Sequence, residues 1–189
     1  MKSSKVQMLN FMALCCILGL LVKKLVNPLA NVITEALHIP GGISTGFSIM
    51  FLVIAAEVVK MKKCGTMMGT VQGFLALALG RIGSMGILAP LGYIIPGITI
   101  DVCYWLAKGL RLSRTERMVM TNAMAAFMAS VTANVIVFHL KGPVLWLYLS
   151  VSATSGSIYG ALGSMIAARL TPAMGRNRMY ESEEDYEKE

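Results

Sequence analysis

Two carboxylates stand alone in apolar surroundings: Asp101, within LGYIIPGITIDVCYWLA, and Glu57, near the end of ISTGFSIMFLVIAAEVV. A carboxylate at the centre of a bilayer costs about 2.5–3.5 kcal/mol or more on insertion scales, so each must face a partner rather than lipid. For Asp101 a functional or buried-network role and simple pairing with a neighbouring helix both stand open. Glu57 lies within reach of Lys60 or Lys63, which makes it an interfacial ion pair first. A second group of side chains could line a ligand pocket: Gln72, Tyr93, Asn134, His139, Trp146, Tyr148 and Ser152, with Glu35, His38 and Arg81 from the connections. An apolar wall carrying a few convergent polar groups is what a small organic ligand needs. Tyr93, Trp146 and Tyr148 also suit an aromatic belt at the membrane surface. Gln72 and Asn134 lie deeper, where an amide serves either a ligand or an interhelical hydrogen bond.

Small residues recur at a spacing of four. Gly65, Gly69 and Gly73 continue into Ala76 and Gly80, while Gly156, Gly160 and Ser164 have Gly163 and Ala167 beside them. Such ridges let helix backbones approach closely in lipid. Packing inside the bundle is the first reading, and docking on a partner's helix is the sharper one. Met120, Met124 and Met128 form a stripe that reads as adaptable packing before it reads as a soft-metal path.

Several kinds of chemistry lack their residues. HExxH, GxSxG and the Walker lysine motif are missing, and Asp101 has no second acid nearby in the sequence. Cys15, Cys16, Cys64 and Cys103 form no CxxC pair and read as small apolar residues. His38 and His139 are single histidines. Neither a metal nor another cofactor is expected.

The elements that must position these residues follow from composition. Hydrophobic residues make up 56% of the 189 and charged residues 14%, where soluble domains carry about 25% charged residues. The expected fold class is therefore all-α, an integral membrane bundle, and the apolar stretches 6–22, 43–59, 64–80, 87–107, 118–138 and 144–168 are its six candidate spans. About 17–25 residues cross a hydrocarbon core, so the short, glycine-rich third stretch needs shelter among its neighbours. Residues 1–174 form the transmembrane domain, with 14 bases against 4 acids. Residues 175–189 hold six acids and three bases and are expected to be a solvated, disordered cytoplasmic tail. With six spans, thirteen of the seventeen Lys and Arg fall on one side, and Lys23, Lys24, Arg81 and Lys141 on the other. Basic loops stay in the cytoplasm, so both termini are expected there and the chain in a cell membrane. That excess of positive charge bears on topology, not on nucleic acid. The connection Asn27–Ser44, opening on Asn27-Pro28 and closing on Pro40-Gly41-Gly42, is expected to be the long external loop, with an amphipathic turn or two through Ala30–Ile39.

With these residues in place, the chain over about 5–170 resembles the substrate-binding S component of energy-coupling factor vitamin transporters. The likeness lies in size, six helices with both ends inside, a basic chain, a long first external loop and a short glycine-rich third helix. The runs GTMMGTVQGFLALALG, Gly65 to Gly80, and PLGYIIPGITID, Pro90 to Asp101, are similar to the third and fourth helices of the branch tied to thiamine or its pyrimidine precursor. The resemblance implies a binding protein, not an enzyme. It would take a vitamin-sized ligand near the outer face and deliver it by toppling, driven by a transmembrane coupling subunit and two ABC-type ATPases. It also implies a docking surface on the first helix, where Cys15 with Gly19 is the nearest match to an AxxxA pattern, with Gly65, Gly69 and Gly73 as the second candidate. The nickel and cobalt branch needs a histidine near the N-terminus, and Met1-Lys2-Ser3-Ser4 has none. Two rival readings stand beside this one: a small polytopic enzyme acting on lipid or isoprenoid with Asp101 and Glu57 as its acids, and a gradient-driven carrier.

Overall fold

The computed structural model describes residues 2–36, 43–80, 83–110 and 112–186. They form six α-helices and, among the described residues, no strand: α1 Lys2–Ala36, α2 Ile43–Val59, α3 Cys64–Ala78, α4 Leu91–Ala107, α5 Arg114–Val131 and α6 Pro143–Tyr186. A short 3-10 segment, Gly83–Leu88, precedes α4, and a π-helical segment, Thr132–Val137, continues α5. The segments Val6–Val26, Met85–Ala107 and Arg114–Ile136 are long and apolar enough to cross a membrane, while Ser44–Val59 and Cys64–Ala78 are apolar but shorter.

The expected helix 2 matches α2 end to end, and the other stretches differ mainly at their ends. The largest correction concerns the expected long loop. Residues 27–36 continue α1, and its closing Pro40-Gly41-Gly42 lies outside the described residues, as do His38 and Arg81. Proline removes a single N–H from a helix, and Pro28 does not end one that runs from Lys2. Helix α6 carries on beyond the expected end at 168 to Tyr186, into the acidic segment.

Helix α2 is the centre of the bundle. Ile49, Met50, Leu52, Val53, Ile54, Ala55, Ala56, Val58 and Val59 are all buried, and α2 touches each of the other five α-helices. A helix apolar on nearly every side must be wrapped by others. Around it the chain packs as two tight pairs, α3 with α4 and α5 with α6, while α1 lies along α2.

Glycine sets both pairs. A Cβ on Gly69 would stand 2.5 Å from the Tyr93 carbonyl oxygen, one on Gly65 2.6 Å from that of Gly97, and one on Gly73 3.1 Å from Pro90 Cα. On the other side, a Cβ on Gly160 would lie 2.7 Å from Val119 Cα, and one on Gly156 2.9 Å from Ala123 Cα. The α3 ridge is therefore filled by α4 of the same chain, and it is not an open surface for a partner. Cys15 is 3% exposed, and a Cβ on Gly19 would meet Gln72 Nε2 at 2.8 Å and the Ser48 carbonyl at 3.2 Å. All five residues expected to dock a partner thus face the inside of the bundle. Outward, α1 presents Val6, Leu9, Leu14, Ile17, Leu21 and Leu25.

Candidate functional site

The carboxylates belong to two local networks at one end of the bundle. Helix α3 begins after Lys63, which has a left-handed φ of 61° and gives no side-chain cap. Its first turn is capped from outside. Asp101 of α4 accepts from the Gly65 N–H at 2.9 Å, the Thr66 N–H at 2.8 Å and the Thr66 hydroxyl. The open N–H groups and positive pole of a helix start favour an anion, and here the anion is a side chain two elements away. Asp101 thus finds its partners on the neighbouring helix α3, two backbone N–H groups and the Thr66 hydroxyl.

Glu57, 2% exposed, is held by Arg117, whose Nε donates to Oε2 at 3.1 Å and whose Nη2 donates to Oε1 at 2.6 Å. Arg114 Nε stands 3.6 Å from Oε1. The expected partners Lys60 and Lys63 are replaced by two arginines of α5. The fork geometry of guanidinium suits bidentate capture of a carboxylate where a lysine offers only a point charge. A capping box fixes where α5 starts, and hence where these arginines point: Ser113 Oγ accepts from the Glu116 N–H at 3.3 Å and Glu116 Oε2 accepts from the Ser113 N–H at 2.8 Å. The Tyr104 ring lies 5.8 Å from the Arg117 guanidinium carbon.

Both networks wall one cavity of about 530 Å³, lined by Ala56, Glu57, Met61, Tyr104, Trp105 and Ala107 together with Lys60, Lys62, Lys63, Lys108, Arg117 and Asp101. Two acids that stand far apart in the chain are brought to one wall by the α2–α3 turn and the end of α4. Both are already engaged, each as an acceptor. Lys60 and Lys63 both have positive φ, 54° and 61°, a region that non-glycine residues enter at a cost.

The residues expected to line an outer pocket meet a different fate. Gln72, 2% exposed, donates from Nε2 to the Cys16 carbonyl at 2.9 Å and ties α3 to α1. Ser152 is fully buried and donates to the Ala126 carbonyl at 2.8 Å, tying α6 to α5. Asn134, in the π segment, donates to the Ser130 carbonyl at 2.9 Å and to Ser130 Oγ at 3.0 Å. Lys23 Nζ lies 4.0 Å from the Tyr93 ring centroid, a cation–π contact. Trp146 is 67% exposed, Tyr148 half-buried, and His139 exposed with φ 50°. Glu35 lies in the last turn of α1. The elements bearing several of these residues do meet: the 3-10 segment touches the π segment, and α4 and α6 touch the π segment too. A π stretch inside a helix often marks a functional site.

One buried polar residue carries no periodic signal that would single it out. Asn122 donates from Nδ2 to the Gly46 carbonyl at 3.2 Å and the Gly156 carbonyl at 2.7 Å, joining α2, α5 and α6. Its Oδ1 and the Thr121 hydroxyl are buried without a partner. Only its place beside Ala123, Ala125 and Ala126 hints at close helix contact. Among the described residues no three His, Cys, Asp or Glu side chains group to hold a metal, and the four cysteines are buried and unpaired. No family model, curated protein or solved structure matches the chain.

Proposed function

We propose that this chain is a substrate-binding membrane subunit. It captures a small organic nutrient, a vitamin or vitamin precursor, from outside for import driven by a transmembrane coupling subunit and two ABC-type ATPases. All six helices lie in the membrane, α2 and α3 at reduced length and sheltered by their neighbours, with both termini in the cytoplasm. The nutrient binds between the outer ends of α4, α5 and α6, where Tyr93, His139, Trp146 and Tyr148 supply ring and polar surface. Gln72, Asn134 and Ser152 shape the wall beneath, and Glu35 and His38 are the contacts expected from the Asn27–Ser44 stretch.

The observation that carries this reading is the meeting of irregular helical segments at the end of the bundle away from the lysine cluster. Irregular backbone at membrane depth is tolerated where it is buried in protein or lines a cavity, and the 3-10 and π segments touch there. A partner subunit would meet the outward stripe of α1 between Val6 and Leu25, since the inward glycines are taken.

The test is mass spectrometry of the small molecules that survive purification in mild detergent, followed by calorimetry with thiamine-related and other vitamin ligands. A stoichiometric aromatic nutrient whose affinity falls at least tenfold in Trp146→Ala supports the reading. Retention of no small molecule, with no binding across the panel, counts against it.

A second reading draws on the shared cavity of Glu57 and Asp101: an enzyme acting on a lipid or isoprenoid. It is disfavoured because both carboxylates already accept from strong donors, which leaves neither poised to take a substrate proton.

A further inference from the structure

We propose that the cavity at the α2–α3 turn binds the headgroup of an anionic phospholipid, with the acyl chains lying along α4. It rests on the membrane placement proposed above and is independent of the nutrient's identity. Three observations combine. The first is charge. Lys60, Lys62, Lys63 and Lys108 border a 530 Å³ cavity, and among the described residues none of the four has an ion-pair partner. Glu57 and Asp101, the only acids in the lining among the described residues, are consumed by arginine and by backbone N–H groups. The cavity therefore presents uncompensated cations to whatever enters.

The second is the wall. Ala56, Met61, Trp105 and Ala107 give it an apolar side that a free inorganic anion would leave unused. The third is continuity with the surface. Ile98, Val102 and Trp105 are 45%, 47% and 71% exposed, and their spacing puts them on one face of α4. The stripe leads into the cavity at Trp105, which belongs to both. An amphiphile with an anionic head and apolar tails fills all three features together. Basic pockets between helices at the cytoplasmic side of a membrane suit such headgroups, and the cytoplasmic side is where the positive-inside rule puts these lysines.

The full chain, purified in mild detergent, is incubated with equal amounts of phosphatidylglycerol and phosphatidylcholine and examined by native mass spectrometry. One phosphatidylglycerol per chain is expected, held in preference to phosphatidylcholine. The combined variant Lys60→Gln, Lys63→Gln, Lys108→Gln should lose at least tenfold in occupancy, and Lys108→Gln alone should lose part of it. Lys24→Gln with Lys141→Gln, at the other end, should change nothing. Because the four lysines are exposed, circular dichroism and elution volume should match the parent.

Equal retention of the two lipids, or unchanged phosphatidylglycerol in the combined variant, would overturn the proposal. So would displacement of the lipid by millimolar inorganic phosphate, which would assign the site to a soluble anion, or an acidic polypeptide held there instead. A nutrient found without a lipid leaves the transport reading standing and removes this one, and a lipid found without a nutrient does the reverse.

Discussion

At the scale of single residues, the two carboxylates set in apolar helices solve one problem with different partners, and their variants should behave differently. Asp101 gives α3 the cap that its own Lys63 lacks. Asp101→Ala strands the Gly65 and Thr66 N–H groups and the Thr66 hydroxyl. Loss of a cap costs about 0.5–2 kcal/mol, and with two N–H donors left open at once we expect the upper end of that range. Asp101→Asn keeps one acceptor oxygen and should lie between variant and parent, as thermal unfolding in detergent will show. Glu57 and Arg117 should respond unequally. Glu57 is 2% exposed while the Arg117 side chain is 25% exposed, so an abandoned guanidinium can turn to water and an abandoned carboxylate cannot. Arg117→Met should therefore destabilise more than Glu57→Gln, by about 3 kcal/mol, as for other broken buried pairs. Adding Glu57→Gln to Arg117→Met should recover part of the loss. A double-mutant cycle with equal single losses and no recovery would mean that Arg114, 3.6 Å away, already carries the pair.

At the scale of elements, glycine contact decides which helices pair, and the contact is between backbones. A Cβ on Gly69 meets the Tyr93 carbonyl and one on Gly160 meets Val119 Cα, neither of which can rotate away as a side-chain end would. Gly69→Ala and Gly160→Ala should each cost about 1–3 kcal/mol through overpacking. Gly109→Ala should stay within about 0.5 kcal/mol, because its Cβ finds only the Leu106 carbonyl at 3.6 Å. Equal midpoints for all three in thermal unfolding would remove close approach as the basis of the pairs. The same glycines mark what a sequence can and cannot convey. Spacing showed ridges on α3 and α6 and the α2 limits, because small residues and apolar runs are local patterns. Which neighbour fills a ridge is set by the path of the chain between helices, so Gly65, Gly69 and Gly73 were open to a partner reading until α4 was seen on them. Asp101 was legible as needing a partner, but a backbone N–H thirty-five residues away bears no residue code. The Asn27–Ser44 stretch was misjudged over 27–36 because Asn27-Pro28 has turn chemistry, and a helix already under way overrides it. The cavity lysines entered the sequence reading only as topology, since nothing local joins Lys63 to Lys108.

At the scale of the whole molecule, charge is segregated along the bundle. The cavity gathers Lys60, Lys62, Lys63, Lys108 and Arg117 from two connections and the start of α5. Lys141 and Gly142 lie instead between the π segment and α6, at the far end of α5. On the membrane placement proposed above, retention of basic loops in the cytoplasm would put the α2–α3 and α4–α5 connections inside and the α5–α6 connection outside. Each loop can be probed by one cysteine in a background where Cys15, Cys16, Cys64 and Cys103 are replaced by serine or alanine. A cysteine at Gly142 should react with a membrane-impermeant maleimide added to intact cells, whereas cysteines at Lys62 or Ser113 should react only after the cells are opened. Lys62 and Ser113 are exposed in the fold, so silence there in intact cells reports the membrane and not burial. Reaction at Lys62 and Ser113 with protection at Gly142 would invert the molecule, turning the lysine cavity outward and moving any nutrient site at the π segment to the cytoplasmic face. Reaction at all three would mean that α5, whose Arg114–Ile136 stretch is long and apolar enough to cross, does not cross. The charge asymmetry would then describe a surface and not a topology.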